Sequence, residues 1–538
     1  MSASGSDRSL TWLRTAALAL SFALLLLVAA AGPSAAKPGL GPRGWAPGDL
    51  PISLSSALVT AVLWTAYLLG ALAVALGLWR RPGSARSRPR RRSPLWSRLW
   101  PLALAALALL TAPIGSADHT NYAAYGRIAA QGGDPYLVAP ITWAGGLDPV
   151  TSAVEPPWTM TPSVYGPFGT ALQTLSSLVG QDNLRQTVWV WQLFIVGAWL
   201  LVRIILRRAA ADDLARTRVD LLWTANPIVF GVVVLGAHVD LIATALALAA
   251  VFLAARRPWV AGLVLGAAVS TKITYGIVGL AILWSWRSLG RKPLVRNVIA
   301  LAVSSLAVFV SLHLWAGPHV FDQLRKASKG VSLSTAWRPV VNVLSAVMPL
   351  DSARTVVSAA SVVSVIVLAW ALSRLARSRP TTQHDVSTQQ DPTSPEDLST
   401  PLTSTAGQTS AAGQTSAAAQ TSAAAQTQAA MTATFVLATA YVLGAPYALP
   451  WYDALTWATL PVLAATTLDG ILLARLTVMA MAYVPGRVVA MSPDVESLTL
   501  GFRKLVGPFT AWLVWLAIAA AVRRGWSRAP RASRPRGS

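Results

Sequence analysis

The sequence predicts an all-α polytopic membrane protein, a bundle of about 12–14 transmembrane helices with a large first outer loop carrying juxtamembrane helices. Three observations carry that expectation. Hydrophobic residues make up 54% of the 538 positions and charged residues only 12%, about half the charged share of an ordinary soluble domain. Apolar runs of about 17 residues or more recur along the chain, and only helices or closed barrels satisfy backbone groups in lipid. The runs are continuous and rich in Leu, Ala and Val rather than alternating, which selects helices over a barrel.

The net charge of +23 would suit a nucleic-acid partner, but its distribution argues against one. Arginines cluster in short segments between apolar runs and at the C-terminus, the pattern of cytoplasmic loops. The absence of cysteine excludes disulfides, thiolate metal sites and cysteine nucleophiles.

Taken in order, residues 11–31 form a first apolar run, read as a retained helix rather than a cleaved signal peptide because many spans follow. A second run, 53–79, leads to Arg80, Arg81, Arg86, Arg88, Arg90, Arg91, Arg92 and Arg98, which fixes that loop inside the cell. The run at 99–116 then delivers Asp118 to the outer face. Between Asp118 and Gln186 the only basic residues are Arg127 and Arg185. Residues 165–180 are short and begin with Gly and Pro, so they read as a juxtamembrane helix on the outer surface. Spans follow at 187–206, 219–235 and 239–255, the last two joined by GAHVD at 236–240. Residues 258–286 are too long for one straight span and carry Lys272 midway, which suggests a hairpin of two short helices with the lysine at its outer tip. A span at 297–315 leads to a long outer loop, and one near 355–373 returns inward.

Residues 380–430 are polar and repetitive (TAGQTS, AAGQTS, AAAQTS, AAAQTQ), and read as an unstructured cytoplasmic linker. The chain thus divides into a module at 1–379 with its outer loop at 117–186, the linker, C-terminal helices at 431–522, and a basic tail at 523–538 that suits anionic lipid. Within the C-terminal part, runs near 454–467 and 471–484 are expected to pair as a hairpin. Trp457 is expected in the interfacial aromatic belt.

The polar residues collect at the outer boundary. Taken alone, Asp118 reads as a carboxylate marking a helix end. Its neighbours His119, Tyr122 and Tyr125, and the scarcity of cations around it, give it the character of a site. His238 and Asp240 lie at another outer boundary, where ionisable groups are functional candidates, although Asp240 reads equally well as a helix cap. The two His–carboxylate patterns could take a divalent metal, but their ligand geometry is not set by spacing, and no cofactor is assigned. Lys272 within an apolar run either snorkels or meets an anion, and the second of these is preferred. Arg325, Lys326, Lys329 and Arg338 in the later outer loop also suit an anionic ligand. Trp451 and Tyr452 offer faces for sugar stacking.

Six short motifs then occur in order: DPY at 134–136, YGP at 165–167, NP at 226–227, GAHVD at 236–240, STKIT at 270–274 and LPWY at 449–452. Their order and shared outer location resemble the polyprenol-phosphomannose-dependent α-1,6-mannosyltransferases of actinobacteria, within the GT-C class of membrane glycosyltransferases. The resemblance covers most of the chain from about residue 100 to 520. It implies a multi-pass plasma-membrane enzyme with its catalytic face outside the cytoplasm. The implied donor is a sugar on a polyprenyl phosphate and the implied acceptor a glycan of the cell envelope. It also implies inverting transfer, with an aspartate of the first large outer loop as general base. Asp118 matches that position. His119, Tyr122, Asp134, Tyr136, Tyr165, His238, Asp240, Lys272, Arg338, Trp451 and Tyr452 are the candidate substrate-binding residues. The family stretch matched by His238 and Asp240 carries Asn where this chain has Val239. A transporter or flippase of lipid-linked sugar is the rival reading, but it favours internal repeats and midplane sites, whereas here no duplication of spans is visible and the polar residues gather at one face. A non-catalytic partner of a sister transferase is a third reading.

Overall fold

The computed structural model describes residues 3–79, 94–377 and 407–527. The arginines from Arg80 to Arg92, the first part of the repetitive segment and the tail beyond residue 527 lie outside the described residues. Among those described the chain is all-helical, without a sheet.

Among the described residues, eight helices are long and apolar enough to cross a membrane: Arg8–Ala30, Ser56–Trp79, Leu184–Ala209, Asp213–Leu235, Arg291–Ala316, Leu350–Ala376, Thr421–Gly444 and Pro493–Arg524. Shorter apolar helices at Leu99–Leu109, Asp240–Ala254, Pro258–Thr271 and Ile273–Ser285 pack among them. This is the architecture of a multi-pass membrane protein. The number of long spans falls below the expected 12–14 because several apolar runs break into short helices. At 1.5 Å per residue, 14 residues reach only about 21 Å, against a hydrocarbon core of about 30 Å. The run at 99–116 stops before Pro113. The run at 454–467 holds only the helix Ala454–Thr459 and a tight turn at Leu460–Val462, because Pro461 cannot donate to a continuing helix.

Two further expectations are corrected. The repetitive segment is helical from Gly407, continuing without a break to Gly444, so the helix-favouring alanines prevail over Ser and Thr there. Trp457 is buried, at 1% exposure, in the core rather than in an interfacial belt.

Residues 258–286 do form two short helices about Lys272, which is extended (φ −154°, ψ 116°). Leu265 and Gly279, seven positions to either side of it, face each other. The helix Pro167–Gly180 lies between the Asp118–Ala130 helix and the span Leu184–Ala209.

The segments expected on the outer face gather at one end of the bundle. Arg487 joins Glu155 to the carbonyls of Ser34 and Lys37. Ile114 N–H donates to the Leu235 carbonyl at 2.8 Å, Asp134 meets His319 at 2.8 Å, and Ser332 bonds the Ala448 carbonyl at 3.0 Å. Two carboxylate oxygens of Asp469 take the Arg218 guanidinium at 2.7 and 2.9 Å, an ion pair that joins segments expected on the cytoplasmic side.

Candidate functional site

The short motifs build the site through their backbones. In NP, the Asn226 side chain accepts from the N–H groups of Ile228 and Val229 at 3.0 and 3.3 Å. This caps a helix restarted by Pro227 inside a span. The chain then winds in wide π-helical turns over Phe230–Leu235, a geometry often found at functional sites. Ala237 follows at φ +51°, a left-handed conformation that costs a side-chain-bearing residue about 1–2 kcal/mol. The Trp191 indole N–H pins it by donating to its carbonyl at 2.8 Å. The strained turn aims His238 and Asp240 at the Asp118 end of the bundle.

YGP and STKIT meet directly. Gly166 N–H donates to the Thr271 carbonyl at 3.0 Å, and a Cβ on Gly166 would lie 2.2 Å from the Ser270 carbonyl oxygen. Only glycine permits that approach, which sets Tyr165 beside the turn carrying Lys272.

Asp118, His238 and Lys272 define the centre. Asp118 begins its helix, its N–H held by the Ser116 hydroxyl at 3.2 Å, and its Oδ2 lies 3.4 Å from His238 Nδ1. His238 stacks on Trp451, with ring centroids 3.7 Å apart and planes 10° from parallel. Lys272 Nζ lies 2.6 Å from Asp240 Oδ1 and 3.4 Å from the centroid of the Tyr452 ring, within electrostatic reach of Asp118. Asp118 keeps a side-chain exposure of 17%, while His238 and Asp240 are nearly sealed. The aspartate is therefore the accessible carboxylate of the pair. A cleft lined by Asp240, Lys272, Thr274, Tyr275, Tyr441 and Tyr452 opens beside it.

Aromatic rings wall the other side. Tyr122 packs edge-on against Tyr165 and at a tilt against Trp191, each with ring centroids 5.0 Å apart. His119 is buried with neither ring nitrogen hydrogen-bonded. Burial, chiefly, pushes its imidazole down to about 3, against a smaller upward pull from Asp118.

The structure thus brings together Asp118, His119, Tyr122, Tyr165, His238, Asp240, Lys272, Trp451 and Tyr452. Asp134 and Tyr136 stand apart. Asp134 holds the Tyr136 N–H at 2.8 Å and pairs with His319, and the Tyr136 hydroxyl bonds Thr170 at 2.8 Å, so DPY fixes one outer loop against another. Arg338 lies beyond Trp451, near Tyr483. Among the described residues no group of three or more His, Cys, Asp or Glu side chains is placed to hold a metal ion. Sequence reasoning missed Trp191, Tyr275, Tyr483 and Arg503. Only Arg503, a cation at the margin of an apolar run, left a signal.

Residues 17–288 match the family model for the alpha-(1->6)-mannopyranosyltransferase N-terminal domain. The match covers Asp118, His238, Asp240 and Lys272 and ends before Trp451. Alpha-(1->6)-mannopyranosyltransferase A of Mycobacterium tuberculosis is 32% identical over 267 residues, 47% of this chain and 49% of that protein. A protein of Mycolicibacterium smegmatis described as a probable alpha-(1->6)-mannopyranosyltransferase is 30% identical over 253 residues, 40% of this chain and 44% of its own. Alpha-(1->6)-mannopyranosyltransferase B of Corynebacterium glutamicum is 25% identical over 227 residues, 38% and 36% of the two chains. The chain spans about half the length, or less, of the curated relatives it matches. No solved structure matches it.

Proposed function

Since the chain belongs to the alpha-(1->6)-mannopyranosyltransferase family, we propose that it moves a sugar, mannose on this reading, from a polyprenyl-phosphate donor to a glycan or lipid-linked acceptor at the outer face of the plasma membrane. Asp118 is the general base. A sugar hydroxyl is a poor nucleophile, and a carboxylate within hydrogen-bond reach takes its proton as the new bond forms. The acceptor oxygen bonds to the anomeric carbon, the bond from that carbon to the phosphate oxygen breaks, and the polyprenyl phosphate leaves with the electron pair. The configuration inverts.

The observation that carries this reading is the Asp118–His238–Trp451 arrangement. A ring stacked at 3.7 Å holds the imidazole, and the imidazole lies 3.4 Å from an accessible carboxylate. On this reading the buried imidazole flanks one side of Asp118, and the exposed carboxylate edge is left for the acceptor. The leaving phosphate needs a fixed cation, for which the chain offers Lys272 or an arginine of the outer loops.

The test is transfer of labelled mannose from polyprenyl-phosphomannose in membranes holding equal amounts of the native chain or Asp118→Asn. Loss of the base is expected to slow transfer by about 10²–10⁴-fold. Equal rates would remove Asp118 from the mechanism. No transfer by the native chain to any mannosyl acceptor offered would favour the transporter.

A further inference from the structure

The cations at the Asp118 end of the bundle that are not fully exposed are mostly paired. Lys37, Arg127, Arg185, Lys272, Arg475 and Arg487 each sit against a carboxylate. Arg338 and Arg503 are half-buried, and among the described residues neither has a carboxylate within 4.0 Å. They come from different parts of the chain, Arg338 from the helix Trp337–Leu344 and Arg503 from Pro493–Ser527.

The two segments meet where Ser334, about one turn before Arg338, donates its hydroxyl to the Arg503 carbonyl at 3.2 Å, beside Tyr483. The Arg503 guanidinium lies 4.3 Å from the Tyr483 ring centroid, and both guanidinium groups act on the Tyr483 hydroxyl. Arg503 spends only its Nε, donated to the Ala482 carbonyl at 2.8 Å, and the terminal nitrogens stay available. The Arg338 Nε is buried without a hydrogen-bond partner. A guanidinium set in a poorly solvated place without a carboxylate is costly unless an anion joins it. Planar guanidinium forks match the oxygens of phosphate.

The pair also borders the reaction centre. Tyr483 meets Trp451 edge-on at 6.1 Å, and Trp451 carries His238 and through it Asp118. Tyr447 lies between, within electrostatic reach of both Asp118 and Arg503. Lys272, the cation that sequence patterning favoured, is already neutralised by Asp240.

We infer that Arg338 and Arg503 form the subsite for the donor's phosphate, and that Lys272 instead fixes Asp240. The inference rests on the polyprenyl-phosphate reading given above. It puts the leaving group on the far side of Trp451 from the Asp240–Lys272 cleft.

The experiment uses the purified full chain in detergent, with polyprenyl monophosphate and unphosphorylated polyprenol of equal length as probes, read by quenching of tryptophan fluorescence. The native chain is expected to bind the phosphate at least about tenfold more tightly than the alcohol. Arg338→Gln and Arg503→Gln should each lose most of that preference while binding polyprenol as before, and Arg338→Lys and Arg503→Lys should fall between. Transfer assays on the same proteins should show a raised KM for the donor and an unchanged KM for the acceptor. Retention of the phosphate preference in both Gln variants would overturn the inference. So would an equal loss for the two lipids, or a native chain blind to the phosphate. Arginine-dependent phosphate binding without any mannose transfer would keep the subsite and reject the transferase reading. A Gln variant that does not fold is judged by its Lys counterpart, whose unchanged preference and donor KM would count against a role for the guanidinium fork.

Discussion

Lys272→Met separates a structural lysine from a ligand-binding one. The ammonium lies 2.6 Å from a carboxylate whose side chain is only 3% exposed, with the Tyr452 ring closing its other side. Removing the amine leaves Asp240 buried and unpaired, and breaking a buried pair from one side costs about 3–5 kcal/mol. The lost cation–π contact is worth about 0.5–2 kcal/mol and overlaps that figure. Asp240→Asn with Lys272→Met removes the orphan charge as well, so the double variant should return to within about 1 kcal/mol of the native chain. Lys272→Met should then lie about 3 kcal/mol below the double variant, roughly a hundredfold in a rate or equilibrium. The four proteins are compared in one detergent by the half-life of the folded, monodisperse species at a fixed elevated temperature. Lys272→Met should be the shortest-lived and the double variant should recover. If Lys272→Met lasts as long as the native chain and the double variant is worse, Lys272 does not neutralise Asp240. It would then be free to hold an anion.

Three further expectations follow from the same structure. Gly166→Ala forces a Cβ to 2.2 Å from the Ser270 carbonyl oxygen and should cost about 1–3 kcal/mol in overpacking, with a loss of transfer out of proportion to the loss of folded protein. The unfolded His119 imidazole takes up a proton near 6.5, whereas the folded one resists until about 3. The unfolded state therefore binds the extra proton across that window, and stability falls as pH drops through it; His119→Gln should flatten the ratio of unfolding half-lives between pH 7 and pH 4. Arg487→Ala releases Glu155 and the carbonyls of Ser34 and Lys37, and hydrogen exchange over residues 140–165 should quicken while that of the buried span around Trp199 stays unchanged.

What was legible in the sequence was what hydropathy and charge can encode. The all-helical class, the hairpin about Lys272 and the gathering of Asp118, His238, Asp240 and Trp451 at one end follow from run lengths and from where arginines fall. Hydropathy could not distinguish an apolar run that spans from one that breaks. Pro461 and the cap at Asn226 act through backbone donors, which a window average ignores. Composition misjudged the repetitive segment because Ser and Thr were weighed by polarity rather than against the alanines between them. Partnership was hidden most fully. Lys272 and Asp240 are 32 residues apart, and nothing in their spacing tells that they neutralise each other, nor that Arg338 and Arg503 lack carboxylates.

The aromatic floor of the site, Trp451 and Tyr452, is made after nearly everything that rests on it. A chain emerging from the ribosome completes Asp118, His238 and Lys272 while the surface that will stack on His238 and close over Lys272 is still untranslated. Until residues 450–452 arrive, a strained turn and a charged pair face lipid or water on one side. The C-terminal helices therefore supply the surface that closes the site, and its assembly waits on residues 450–452.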